Sequence, residues 1–133
     1  MHHNLTRRNR KRAGKSPLHP GRHHIFAALC TCGGKVFSGV HLEASVGRVA
    51  VCAEAIAIGA AASAGETAID EIVAVTESGD VVPPCGICRE LLRDYAPQAR
   101  VILQVDGELQ GVPVSELLPF PYRGDDYPHT RSV

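Results

Sequence analysis

The apolar segments of the first half of the chain change from short strand-like runs to one long helix-like run. Two strand-like segments, Ile25–Thr31 and Lys35–His41, flank Cys32-Gly33-Gly34, where glycines supply the positive φ angles of a hairpin turn. The alanine-rich run from Cys52 to Ala64 is made of strong helix formers and ends at Gly65. These patterns predict a β-hairpin followed by a helix.

The second half of the chain continues this alternation of strands and helices. The predicted elements are strands at Ile69–Thr76, Arg100–Val105 and Glu108–Val114 and a helix from about Cys85 to Tyr95. Asp106-Gly107, between the last two strands, is typical of a hairpin turn. Strands that alternate with helices in this way predict an α/β domain in which helices cover a mixed sheet.

A net charge of zero conceals an uneven distribution of charge. The first 24 residues hold seven of the fourteen Lys and Arg side chains and no acid, so the remainder carries seven basic and fourteen acidic side chains. We therefore predict a basic, flexible arm over residues 1–24, a domain over 25–122 and a tail over 123–133. The acidic domain repels polyanions, so nucleic acid binding is expected only through the arm.

The cysteine count indicates a reducing compartment, and the lengths of the apolar runs argue against a secretion signal or a membrane span. There are five cysteines, an odd number that argues against a disulfide scaffold: Cys30, Cys32, Cys52, Cys85 and Cys88. The apolar run Ile25–Cys30 is shorter than the core of a secretion signal, and no run approaches the roughly 20 apolar residues of a membrane span. We expect a cytoplasmic protein without a membrane partner.

Three cysteines and one glutamate are the strongest candidates for chemistry. Cys52-Ala53-Glu54 opens the first predicted helix, and Pro84–Arg89, with Cys85 and Cys88 three positions apart, opens the second. Residues three apart share a helix face, and the positive end of the helix dipole lowers cysteine pKa values and stabilises thiolates. A catalytic zinc site keeps three protein ligands and leaves a fourth position for water. The count of three favours such a site over a structural site with four protein ligands, and the alternative is three buried, unligated cysteines.

Glu54 would give this site a proton carrier. Bound zinc lowers the pKa of water from about 15.7 to roughly 7, and a nearby carboxylate can take the proton and deliver it to a leaving group. The alternative is that Glu54 only stabilises a helix start through the dipole. Beside three candidate ligands, we expect hydrolytic catalysis.

The two motifs resemble those of the cytidine deaminase family in its small three-cysteine form. In that family a Cys-Ala-Glu run is followed by Pro-Cys, two residues and Cys-Arg, which is the order and spacing of Cys52–Glu54 and Pro84–Arg89. The resemblance covers Ile25–Tyr122 and includes Glu90-Leu91-Leu92 and Glu116-Leu117-Leu118-Pro119. It implies a three-layer α-β-α fold with a mixed sheet of about five strands, and a zinc-dependent hydrolytic deamination that releases ammonia.

The resemblance also implies roles for individual residues. Zn2+ would be held by Cys52, Cys85 and Cys88, and Glu54 would shuttle protons. Substrate contacts are implied at His41, Glu43, His23, Ala53 and Phe120. Family members often send an aromatic residue at the position of Phe120 into a neighbouring subunit, which implies a homotetramer; the alternative for Phe120 is an ordinary C-terminal anchor.

Three positions depart from the family pattern. Cytidine deaminases usually grip the ribose with asparagine, one residue and glutamate, where this chain has His41-Leu42-Glu43. His23 stands where phenylalanine is common, and Ala55 stands where many three-cysteine members have an arginine that offsets thiolate charge. Blasticidin-S deaminases also lack that arginine and are similar along Cys52–Gly65. A blasticidin-S-like or other amino-heterocycle substrate is therefore the alternative to a cytidine-like nucleoside.

Several other side chains keep two interpretations. Arg89 follows a candidate ligand directly, so it either donates to a thiolate sulfur, which would reduce the negative charge at the metal, or forms a surface salt bridge. Cys30 and Cys32 alternate onto one strand face, which favours core packing over a second metal site. His41 offers either a neutral imidazole to a hydroxyl or an imidazolium to an anion.

The sequence thus predicts a zinc deaminase of pyrimidine salvage that acts on an aminopyrimidine nucleoside or an analogue. The non-enzymatic alternative is a zinc-stabilised RNA-binding module that uses the basic arm. The enzyme is preferred because Glu54 lies beside three candidate ligands and because the acidic domain repels polyanions.

Overall fold

The computed structural model describes residue 5 and residues 24–124 of the chain. Its strands are β1 (Ile25–Thr31), β2 (Val36–Val40), β3 (Ile69–Thr76), β4 (Val81–Val82), β5 (Arg100–Val105) and β6 (Glu108–Pro113). Its helices are α1 (Ala53–Ser63), α2 (Gly86–Tyr95) and the short α3 (Val114–Leu117), with a 3-10 turn at Gly47–Val49. All of the predicted strands and helices are present, and β4, α3 and the 3-10 turn are additional.

The strands form one mixed sheet in the order β2-β1-β3-β5-β6, with β4 paired to β3. The β3–β5 pair is parallel, with Ile72 opposite Val101, and the other pairs are antiparallel. The β5–β6 hairpin turns at Asp106 and Gly107, whose φ angles of 50° and 81° are those that a tight two-residue hairpin needs. The predicted α/β class with a mixed sheet is confirmed.

The sheet separates two apolar clusters because successive strand residues point to opposite faces. Ala27 and Leu29 of β1 pack on one face with residues of α1 and α2. Phe26 and Ala28 pack on the other face, where the buried and helical Leu5 also lies. The helical Leu5 thus lies on the face opposite α1 and α2, in agreement with the predicted three-layer arrangement.

Both motif helices begin one residue later than predicted. Cys52 and Cys85 are the N-cap residues of α1 and α2, and each has extended backbone angles. An N-cap residue lies outside the helix while its carbonyl accepts the first helical hydrogen bond, as the Cys52 and Cys85 carbonyls do from Ile56 and Arg89. The two cysteines thus precede the first turns instead of lying within them.

One cysteine prediction is wrong. Cys30 is partly buried and packs against the cluster that contains Phe26, but Cys32 is exposed. β1 ends at Thr31, and its register with β3 shifts between Cys30 and Thr31. The alternation that would carry Cys32 into the core stops before it is reached.

The predicted arm and tail lie almost wholly outside the described residues. Leu5 and His24 are the described residues of the arm, and Leu5 is 4% exposed. His23 lies outside the described residues, and so does the tail after residue 124. The three-part division of the chain stays a prediction. Across the described part of the chain, no helix has the length and apolar content that a membrane span requires.

We expect Gly59→Ala to increase the free energy of unfolding by roughly 0.5–1 kcal/mol. Gly59 lies inside α1, and an added Cβ there would have no heavy atom within 4 Å. Alanine therefore gains helix propensity without a clash. Chemical denaturation measures the change.

Gly65→Ala is the matched control. Gly65 follows the end of α1 with a φ of 77°, and an added Cβ there also meets nothing within 4 Å. The left-handed conformation makes this substitution destabilising by about 1–2 kcal/mol. Equal effects of the two substitutions would contradict the conformational argument.

Candidate active site

Three cysteine sulfurs from two helix starts meet at one point. Cys52 precedes α1, Cys85 precedes α2, and Cys88 lies in the first turn of α2. Their Sγ atoms all lie within 4.8 Å of one another, and the Sγ atoms of Cys52 and Cys85 are 3.6 Å apart. The structure therefore brings together the three predicted metal ligands.

The spacing of the sulfurs fits a zinc ion. Tetrahedral Zn2+ with Zn–S bonds of about 2.3 Å places its sulfur ligands roughly 3.8 Å apart. The observed separations need only small side-chain movements to match that value. Neither Cys52 nor Cys85 uses its side chain to cap its helix. The donor set is three thiols, which leaves one tetrahedral position for another ligand.

Glu54 lies at the edge of the sulfur cluster. It belongs to the first turn of α1, is 6% exposed, and its Oε2 accepts a hydrogen bond of 3.5 Å from the Cys88 Sγ. Cys88 is fully buried. A carboxylate held beside the candidate metal position and shielded from solvent is placed to exchange protons with a molecule bound there.

The thiol pKa values differ across the cluster. Burial foremost raises the pKa of Cys52, and burial together with the Glu54 carboxylate raises the pKa of Cys88 well above that of an ordinary thiol. For Cys85 burial acts in the same direction, but hydrogen bonds from the backbone of Cys88 and Ile87 and from neighbouring thiols outweigh it and lower the pKa. The pKa lowering expected at helix starts thus holds for Cys85, while desolvation dominates at the other two.

His41 and Glu43 form a hydrogen-bonded pair close to this cluster in the chain. The His41 Nε2 and Glu43 Oε1 atoms are 3.0 Å apart, and the two side chains are 14% and 9% exposed. Leu42, between them, forms an antiparallel bridge with Val51, the residue before Cys52. The predicted substrate-contact pair is therefore tied by the backbone to the start of α1.

Arg89 contacts two backbone carbonyls. Its Nε donates to the Pro84 carbonyl at 2.9 Å, and its Nη1 donates to the Leu117 carbonyl at 3.1 Å. These contacts are neither the predicted thiolate contact nor the alternative salt bridge. They connect the segment before Cys85 to the end of α3 and so hold in place the loop that carries a candidate ligand.

The remaining predicted site residues differ in exposure. Ala53 is fully buried at the start of α1, next to Cys52 and Glu54. Phe120 is 94% exposed after α3. Pro84 and Leu117 fall within segments singled out in the sequence, but their role as acceptors for Arg89 could not be predicted, because a backbone carbonyl leaves no residue-type pattern.

Comparison with known proteins agrees with this site. Residues 1–104 match the family model described as the cytidine and deoxycytidylate deaminase zinc-binding region. The chain is 48% identical over 109 residues to blasticidin-S deaminase from Bacillus cereus, covering 76% of this chain and 78% of the relative. It is 34% identical over 107 residues to cytidine deaminase from Halalkalibacterium halodurans, covering 79% and 81%.

A solved structure extends the comparison to the fold. Cytidine deaminase from Burkholderia pseudomallei superposes with a TM-score of 0.78 at 30% identity, covering 92% of this chain and 99% of that one. The family model spans most of the chain and includes both cysteine motifs. The zinc cofactor and the hydrolytic deaminase class follow from these matches and from the three-thiol cluster. The chain therefore belongs to the cytidine and deoxycytidylate deaminase family.

Proposed function

We propose that this protein converts a cytidine-like nucleoside to the uridine-like product by zinc-dependent hydrolysis, with release of ammonia. The observation that carries the proposal is the position of Glu54, a buried carboxylate whose Oε2 lies 3.5 Å from the Sγ of a candidate zinc ligand. In the reaction, water supplies the oxygen of a new C–O bond, and the bond between the ring carbon and its exocyclic nitrogen breaks.

We assign Cys52, Cys85 and Cys88 as the protein ligands of the metal. Three sulfurs within 4.8 Å of one another support this assignment, and the backbone of Cys88 and Ile87 at the start of α2 hydrogen-bonds to Cys85. When bound, zinc supplies a Lewis acid that lowers the pKa of water to near neutrality.

We assign proton transfer to Glu54. Its carboxylate accepts a proton from the attacking water and delivers protons to the ring nitrogen and the departing amine. Its burial keeps bulk water from competing for these transfers, and its place on α1 fixes it relative to Cys52. A general base with this role contributes about 10²–10⁴-fold to the rate.

Blasticidin S is the second candidate substrate. It is favoured by the 48% identity to blasticidin-S deaminase from Bacillus cereus, compared with 34% to cytidine deaminase from Halalkalibacterium halodurans. We assign the substrate contacts to His41, Glu43 and Ala53, together with His23. The His41–Glu43 hydrogen bond holds the Glu43 carboxylate in one orientation. We therefore assign to this pair the selection between ribose and the sugar of blasticidin S.

We further propose a cytoplasmic homotetramer in which Phe120 reaches the active site of a neighbouring subunit. Phe120 is 94% exposed, and exposed aromatic residues are enriched at protein interfaces. The segment between His41 and Cys52 also has exposed apolar side chains, namely Leu42, Val46, Val49 and Val51. A reducing compartment keeps the three thiols available to zinc.

We expect Glu54→Gln to lower kcat by about 10²–10⁴-fold while zinc stays bound, because the amide cannot carry the proton. Ammonia release from cytidine, deoxycytidine, blasticidin S and an aminopurine nucleoside measures the activity. Glu77→Gln, at an exposed turn after β3, is the matched control and should retain full activity.

The substrate panel separates the two candidates. Turnover of cytidine and deoxycytidine supports the nucleoside proposal, whereas turnover of blasticidin S alone supports the second candidate. Near-normal kcat in Glu54→Gln would show that another group carries the proton. A zinc-loaded wild-type protein that deaminates none of the four compounds would contradict the proposed function.

We expect zinc affinity to fall steeply as the pH is lowered. The raised pKa values of Cys52 and Cys88 mean that Zn2+ must displace at least two protons, so affinity should fall about a hundredfold or more per pH unit. Competition with a chromophoric chelator between about pH 6 and 8 measures the slope. Cys85→Ala should lose stoichiometric zinc, and Cys32→Ala, at an exposed turn, should keep it. Stoichiometric zinc in Cys85→Ala would show that the ligand set is wrong.

We expect Phe120→Ala to lower kcat/KM about tenfold if its ring completes a neighbouring site. Co-expression with Glu54→Gln should then restore activity, because mixed oligomers contain sites with Glu54 from one subunit and Phe120 from another. Tyr122→Ala is the matched exposed aromatic control. Activity of the mixture no greater than the sum of the two variants, or a monomer in sedimentation analysis, would contradict the shared site.

A further inference from the structure

Gly39 is the one buried residue of strand β2, and it faces the start of helix α1. A Cβ added at Gly39 would lie 2.5 Å from the carbonyl oxygen of Ala53 and 2.6 Å from the amide nitrogen of Ala57. It would also lie 2.8 Å from the Cβ of Ile56. All three distances are shorter than real side-chain carbons adopt, so β2 approaches α1 as closely as only a glycine allows.

The contact is made to the helix backbone. Two of the three neighbouring atoms are main-chain atoms, so no side-chain rotation relieves the clash. Ordinary contact begins at 3.4 Å, so accommodating a methyl group requires α1 to move away from β2 by about 1 Å. Gly39 therefore fixes the position of the first turn of α1.

The first turn of α1 carries one half of the proposed active site. Cys52 is its N-cap and Glu54 lies within it, while Cys85 and Cys88 belong to α2. α2 has its own supports, because Arg89 ties it to Pro84 and Leu117. A movement of α1 would therefore change the distance between Cys52 and Cys85 and between Glu54 and Cys88.

We propose that Gly39 is a positioning residue for the metal site. Through its backbone contact with α1, it sets the spacing between the Cys52–Glu54 segment and the two cysteines of α2. This inference rests on the proposed function for its effect on catalysis. Its effect on metal geometry depends only on the cysteine cluster.

We expect Gly39→Ala to bind metal more weakly and to react more slowly. A misplacement of about 1 Å in a reacting group costs about 10²-fold in rate, so kcat should fall by about that factor. KM should change less, because His41 and Glu43 are hydrogen-bonded to each other and Leu42 between them is bridged to Val51, so the pair keeps its place beside the start of α1. Co2+ affinity, measured by titration of the metal-free protein, should fall at least about tenfold.

The absorption spectrum of the Co2+-substituted protein distinguishes a change in metal geometry from a loss of stability, because a loss of stability alone does not shift the absorption bands. The thiolate charge-transfer and d–d bands report the ligand number and the tetrahedral geometry at the metal. These bands should shift or weaken in Gly39→Ala at Co2+ saturation. Gly59→Ala, the same substitution at an open position of α1, should reproduce the wild-type bands, Co2+ affinity and kcat.

A second variant keeps the proposal testable if Gly39→Ala does not fold. Ile56→Ala removes only the side-chain atoms beyond Cβ, so the approach of Gly39 to the Ile56 Cβ and to the Ala53 and Ala57 backbone stays intact. If the backbone contact sets the spacing, Ile56→Ala loses stability but keeps the wild-type Co2+ bands. Shifted bands in Ile56→Ala would overturn the proposal, because side-chain packing would then set the spacing.

The remaining outcomes separate the two proposals. A folded Gly39→Ala with wild-type Co2+ bands, affinity and kcat overturns the role of Gly39. If the wild-type protein deaminates none of the compounds tested, the proposed function fails, and the Co2+ measurements alone decide the positioning role.

Discussion

The meeting of two helix starts at one point is the constraint on which the rest of this structure depends. Cys52 and Cys85 each occupy an N-cap position with extended backbone, so their sulfurs lie in front of the first turns instead of beside them. The sheet makes this possible, since α1 and α2 pack against the same face and are aligned by one core cluster. Small residues such as Ala53 and Ala57 allow α1 to approach the sheet closely enough to bring its start to that of α2.

This convergence places acidic groups together in a region with little solvent. Glu54 and Cys88 are both buried and hydrogen-bonded to each other, and each thiol that ionises adds negative charge beside the carboxylate. Anionic groups gathered in a shielded site destabilise the fold unless a cation balances them. We therefore expect metal binding and folding to be coupled, so that the residues to which we assign the reaction also make the domain dependent on its metal.

Most of the fold and the core of the site could be predicted from the sequence, for identifiable physical reasons. Periodicity and turn residues predict β1, β3, β5 and both long helices because each of these elements is followed within three residues by glycine, proline or aspartate. The cysteine motifs predict the metal cluster because zinc requires particular side chains at a fixed spacing. The carbonyl partners of Arg89 and the contact at Gly39 were beyond prediction, because they depend on backbone atoms brought together by tertiary packing. Cys32 was misplaced because alternation alone does not show where a strand ends.

The unequal exposure of the three thiols gives the site a redox vulnerability. Cys85 is exposed and its pKa is lowered by backbone hydrogen bonds, whereas Cys88 is buried and holds its proton. Oxidants react with exposed thiolates, so Cys85 is the first sulfur that they attack whenever zinc leaves. The Cys52 sulfur lies 3.6 Å away, so oxidation can join the two sulfurs in a disulfide that would prevent zinc from returning. Zinc thus serves as the protecting group of its own binding site.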